Sequence, residues 1–304
     1  MKDAALIVLL LLILSPLAYS QFSAAAGVRA QKERETSLLV HTVNERTRGE
    51  GRDDIHRINS NGTIEERLAV GRIKALYRNP TEQEQKLIAP DSQDLEGYSD
   101  LLNAKKYGLV RMMPDLGCDE VTLQTSRSGR CDTLTIPGGG AAFSFRTRSH
   151  RLWRFADIIF DGRSFLAFGQ GSQGFLADIG DAPLDKLNES SPGLKFMNDF
   201  VPATRFEQIA EQNQSFVKRV IDGDHVYSKV VPAKPNTTFI LRSIAYKAYV
   251  PRDFEGIRFN ELSFDKRSDI TVAFRVVRIS PDGSVTLLWR ELRRLDAPRI
   301  ADEK

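Results

Sequence analysis

Between Thr133 and Asp181, short apolar runs alternate with tight-turn signals. Phe143 and Phe145 share one parity. Ile158-Ile159-Phe160 and Ser164-Phe165-Leu166-Ala167-Phe168 flank the dipeptide Asp161-Gly162. Asp-Gly between two apolar runs predicts a β-hairpin, because a type I′ turn needs positive φ at both central residues. The stretch therefore reads as a β-meander at the middle of a β-rich core.

The same pattern returns toward the C-terminus. Phe239 to Val250 reads as a long strand with Ile240, Ile244 and Tyr246 on one face. Ser280-Pro281-Asp282-Gly283 has the residue order of a type I turn with a following bulge. Its register would set Ile279 opposite Val285, Val277 opposite Leu287, and Arg275 opposite Trp289. Glu120–Thr125 and Asp132–Ile136 are further candidate strands.

Helical periodicity is confined to two regions. Thr63-Ile64-Glu65-Glu66 and Thr81-Glu82-Gln83-Glu84 match capping boxes, in which hydroxyl and carboxylate each satisfy an orphan backbone donor. Leu68, Val70, Ile73, Leu76 and Tyr77 follow the first at roughly helical spacing, and Asn79-Pro80 stops the run. Tyr98 to Leu109 holds one more expected helix. Thr204-Arg205-Phe206-Glu207 offers a third capping box, ahead of an apolar stripe that includes Phe206, Ile209, Phe216 and Val220. Gly223 stands at the expected C-terminal cap.

Together these signals predict an α+β protein, predominantly antiparallel β with meander or sandwich character. A small N-terminal helical subregion and one covering helix complete it. The expected boundaries are a signal peptide at 1–20, a flexible polar leader at 21–57, the helical subregion at 58–115 and a β-rich domain at 116–300. The covering helix falls at about 204–221.

Compartment follows from the first twenty residues. Lys2, the aliphatic run from Ala4, Pro16 and the small-x-small site Ala18-Tyr19-Ser20 have the order of a secretory signal peptide. Ala4 to Leu17 falls short of the roughly 20 residues a spanning helix needs. The chain is expected to be secreted or periplasmic, with no transmembrane span after cleavage. In that compartment Cys118 and Cys131 are expected to form a disulfide, worth about 3 kcal/mol by loop entropy. A net charge of +3 is too small to imply a nucleic-acid partner. Sequons stand at Asn61, Asn188, Asn213 and Asn236.

Little in the chain resembles catalytic machinery. Gly169-Gln170-Gly171-Ser172-Gln173-Gly174 fits the bare G-x-G-x-x-G pattern, but the residues after it are strand-like where a dinucleotide loop needs a helix. The four histidines are scattered without metal spacing, so no metal and no cofactor is expected. Asp222-Gly223-Asp224-His225 lacks the closing Glu of a calcium loop and reads as a helix-terminating turn.

The densest chemistry is Ser144 to Phe155, expected at a hairpin tip. Arg146, Arg148, Arg151 and Arg154 lie beside Trp153 and could fork onto carboxylates, sulfates or phosphates. The leading expectation is an exported, non-catalytic binding or structural protein of the cell envelope or extracellular space. Its target would be anionic polysaccharide or lipid headgroups, reached through that tip. The competing expectation is a secreted glycosidase-like hydrolase using Asp157 and Asp178, which requires carboxyl groups about 5 to 9 Å apart. A third makes the chain a subunit of a larger envelope assembly, with the leader or an exposed strand edge docking an envelope protein.

Overall fold

The computed structural model describes residues 53–115, 136–169, 171–188 and 190–300. The expected signal peptide, nearly all of the leader, the strand Glu120–Thr125, most of Asp132–Ile136, and Cys118 with Cys131 lie outside the described residues. The described residues belong to one compact unit, Gly51–Lys304. Among them no helix is long and apolar enough to cross a membrane.

The fold is α+β and mostly antiparallel. A seven-stranded sheet runs in the order β1 (Tyr107–Met112), β14 (Val285–Asp296), β13 (Ser268–Ile279), β10 (Thr238–Ala245), β6 (Ser172–Asp178), β8 (His225–Ser228) and β7 (Val220–Asp222). A five-stranded sheet runs β3 (Ser149–His150), β2 (Ala142–Ser144), β4 (Ile158–Phe160), β5 (Ser164–Ala167) and β9 (Val230–Pro232). β11 (Pro251–Phe254) and β12 (Ile257–Asn260) form a separate hairpin.

The two large sheets face each other across one apolar core. Phe143, Phe145, Phe160 and Phe165 from the smaller sheet and its turns meet Phe239, Phe274, Leu287 and Trp289 from the larger. The far face of the larger sheet is covered by helices, so its central strand has no wet side. All eight residues of β10 are buried, with Phe239 and Leu241 toward the other sheet and Ile240 toward the helices. That is why Phe239, Ile240 and Leu241 follow one another without a polar residue between them.

The Asp161-Gly162 hairpin forms, with Phe160 opposite Phe165. The Asp161 amide donates to the Ser164 carbonyl, so the two central residues are Gly162 and Arg163, and only Gly162 has positive φ, 94°. That is the Gly-first pattern of a II′ turn rather than the expected I′. In the glycine-rich segment after β5 the Ser172 amide donates back to the Gly169 carbonyl, and Ser172 to Gly174, expected to be a turn, already belong to strand β6.

The C-terminal hairpin pairs Ile279 with Val285 as expected, and then its register slips. A bulge at Val277 sets Val276 opposite Leu287 and Phe274 opposite Trp289. The predicted register would have driven Arg275 into the inter-sheet core beside Trp289. The extra residue swaps Phe274 into that place and sends Arg275 out to Asp181 at 2.6 Å.

Five helices among the described residues precede the sandwich: α1 (Asp54–Asn61), α2 (Ile64–Leu76), α3 (Glu82–Leu87), α4 (Ser92–Gly97) and α5 (Ser99–Leu102). Both expected capping boxes close, with Thr63 and Thr81 each bonded reciprocally to the Glu three residues on. α1 starts inside the stretch read as a leader, because the Asp53 carboxylate accepts from the Ile55 amide and caps it. The helix expected from Tyr98 to Leu109 ends at Leu102. β1 takes over at Tyr107, where Val110 and Met112 alternate into the core.

α6 (Leu194–Asp199) and α7 (Phe206–Lys218) cover the larger sheet. Phe216 of α7 stacks on Phe175 of β6 at 4.0 Å between centroids. The third capping box does not form, since α7 begins from Arg205 with no side-chain cap. The helix also stops before Val220. Arg219 turns to φ 72°, and Val220–Asp222 pairs with His225–Tyr227. Asp222-Gly223-Asp224-His225 is therefore a hairpin turn and not a helix terminus.

Candidate functional site

The expected arginine tip does form a turn, joining β2 to β3, but its arginines go to different places. Arg146 is fully enclosed between the two sheets, with its side chain and those of Asp157 and Asp265 all 0% exposed. Its Nε donates to Asp157 at 2.7 Å, Nη1 donates to Asp265 and to the Lys266 carbonyl, and Nη2 reaches the Phe155 carbonyl. Burial works against its charge, but the two carboxylates outweigh that and hold its pKa above the ordinary arginine value. Arg146 is an internal counter-ion and presents nothing to solvent.

Arg151 and Arg154 are stitching residues. Arg151 donates to the Asn79 side chain at 2.8 Å and to the Phe264 carbonyl at 2.7 Å, tying the segment after α2 to the β-rich part. Arg154 meets Glu261, a fully buried carboxylate that also accepts from Tyr77 and Arg252. Burial alone would raise the Glu261 pKa, but Arg252 and Arg154 overcome it and hold the carboxyl below its usual range. The same burial, with the Glu261 charge added, pushes the Tyr77 phenol up. Trp153 packs against Phe168 and carries the Arg154 guanidinium over its ring.

The proposed acid pair is not brought together. Asp157 is buried under Ser144, Arg146 and Ser243. Ser243 lies opposite Gly174, and Asp178 stands four residues farther along β6. At about 3.3 Å per residue that is roughly 13 Å, well beyond the glycosidase range. Asp178 binds Lys234 at 2.8 Å and its own loop amide at Gly180. Among the described residues no cluster of three or more metal-ligating side chains gathers.

Arg148 alone of the four faces open space. It occupies a left-handed position at φ 57°, with its guanidinium 5.2 Å from the centre of the Trp289 ring. Its nearest carboxylate, Glu291, is 3.8 Å away. Arg148 and Trp289 border a cleft of about 630 Å³ between the segment around α3 and the outer edge of β1. That volume is within the range of ligand-holding clefts. Phe143, His150 and Gly108 also line it, and Lys86 joins from α3.

Each wall has a sequence-level cause. Trp289 can lie flat because the residue opposite is Gly108, where any Cβ would fall 2.5 Å from the indole ring. A lone glycine inside an alternating strand signals such close approach, and Gly108 was the available clue to this site. His150 packs edge-on against Phe143 and bonds the Arg111 carbonyl at 3.0 Å. A carbonyl only accepts, so Nε2 carries the proton. Burial lowers the His150 pKa to about 4, against that hydrogen bond, and the ring is neutral at pH 7.

No protein family, curated protein or solved structure matches this chain.

Proposed function

We propose that this is an exported, non-catalytic binding protein of the cell envelope or extracellular space, and that it holds an anionic partner in the cleft beside β1. Export rests on the N-terminal sequence of charged, apolar and small residues. The observation that carries the anionic partner is the pair of exposed cations at the cleft, Lys86 and Arg148. Lys86 has no ion pair among the described residues, and Arg148 has only the long contact to Glu291. Among the described residues Glu82 is the one acidic side chain lining the cleft. Two unspent cations beside an apolar floor fit a ligand that brings its own negative charge.

The test compares binding to polyglutamate, dextran sulfate and phosphatidylglycerol vesicles at low salt. Arg148→Glu should weaken the favoured probe about tenfold, while Lys247→Glu, an exposed charge away from the cleft, should not. Equal binding by Arg148→Glu and the parent to all three probes would overturn the assignment.

A further inference from the structure

The cleft has a second property, which is backbone chemistry. Among the described residues β1 is an edge strand, bonded only to β14. The Lys106 carbonyl accepts from the Glu291 amide, so residues 106, 108, 110 and 112 direct their polar groups at β14. Tyr107, Leu109 and Arg111 direct theirs outward, into the cleft. Both ends of this edge are already closed. The Tyr107 amide donates to Ala104, the Arg111 carbonyl accepts from His150, and the Met113 amide donates to Gly140.

Between those seals lie the Tyr107 carbonyl, the Leu109 amide and carbonyl, and the Arg111 amide. None of them has a partner among the described residues. They form a ladder segment roughly 13 Å long. An N–H and a C=O facing the same way on one residue are what the opposite residue of an added strand completes. Neither a glycan nor a lipid headgroup offers that repeat.

We infer that the cleft binds an extended, acidic peptide segment of a partner protein, which adds as a strand to the outer edge of β1. This rests on the anionic-partner reading of the cleft and names the partner's class. Charge selects the segment, since Lys86 and Arg148 line the same cleft as the open ladder. A second copy of this chain is a poor occupant. Pairing two β1 edges would bring both copies' α3 walls to the same place.

The probe is an end-blocked peptide of about eight alternating valine and glutamate residues, long enough to overhang the open segment. Binding is read by fluorescence anisotropy and by amide exchange on the full chain. Peptide should slow exchange at Leu109 and Arg111. Leu109→Pro deletes the outward amide while leaving the bonds to β14 in place, and should weaken the peptide about tenfold or more, with the melting temperature lowered only by the lost Leu109 packing. If that variant does not fold, exchange at the two amides decides alone.

Peptide binding that Leu109→Pro leaves intact, or binding without slowed exchange at Leu109, would overturn strand addition. Should Arg148→Glu still abolish it, the anionic cleft stands without the strand. Peptide affinity unchanged in both variants would remove both readings. Slow exchange at Leu109 in the chain alone would give the edge to a segment of this chain or to a second copy. Either finding rejects the partner peptide.

Discussion

Arg146→Met sets the interior reading of the arginine segment against the surface one. The Arg146 guanidinium and the carboxylates of Asp157 and Asp265 are all fully enclosed. Removing the cation strips Asp157 of its only charged donor among the described residues and leaves the Lys266 and Phe155 carbonyls without one of their donors. Some compensation survives. Asp157 keeps Ser144, Ser243 and the residue-146 amide, and Asp265 keeps Arg267 at 2.7 Å.

Breaking a buried ion pair from one side costs about 3–5 kcal/mol, and the residual bonds place this case near the middle. At about 2–4 °C per kcal/mol for a domain of this size, the melting temperature should fall by roughly 10 °C. Arg148→Met, two residues on, removes a guanidinium that is 44% exposed and rests on an indole ring. That should cost under about 1 kcal/mol. Calorimetry and near-UV circular dichroism on the two variants give the comparison. A melting point for Arg146→Met within about 2 °C of the parent, or an equal loss in both, would refute the division of roles.

Stability should also fall between pH 6.5 and about 4, because the folded His150 stays neutral to about 4 while the unfolded imidazole protonates from 6.5 downward. The contribution is complete above 6.5 and amounts to about 3 kcal/mol when fully lost, so urea melts at pH 7 and 4.5 should show a smaller gap in His150→Gln than in the parent. Gly108→Ala should destabilise by about 1–3 kcal/mol and shift indole emission, since the new methyl collides with Trp289. Gly71→Ala in α2, which meets nothing within 4 Å, should stabilise by about 0.5–1 kcal/mol, and matching signs in the two melts would contradict the packing of Trp289 on Gly108. Thr63→Ala should cost about 1 kcal/mol while Thr204→Ala costs almost nothing, because only the first hydroxyl caps a helix, and equal losses in chemical denaturation would contradict this.

The chain's own pattern determined what depends on near neighbours. Turn residues at Asp161-Gly162 and Ser280 to Gly283, capping boxes at Thr63 and Thr81, and apolar runs of strand length were enough for an α+β, mostly antiparallel fold. Such signals are local, because a turn or a cap is satisfied within about four residues. Tertiary structure decided whatever required distant partners. Arg146 and Arg148 look alike in sequence, yet Asp265 lies across the sandwich from one and Trp289 beneath the other.

The bulge at Val277 and the early end of α7 were likewise settled by which side chains the core could accept, at a register slip of one residue. The cleft beside β1 is the extreme case. Its walls come from residues 80–90, 107–111, 143, 148–150 and 289, and only the folded sandwich sets those five segments around one edge that is unpaired among the described residues.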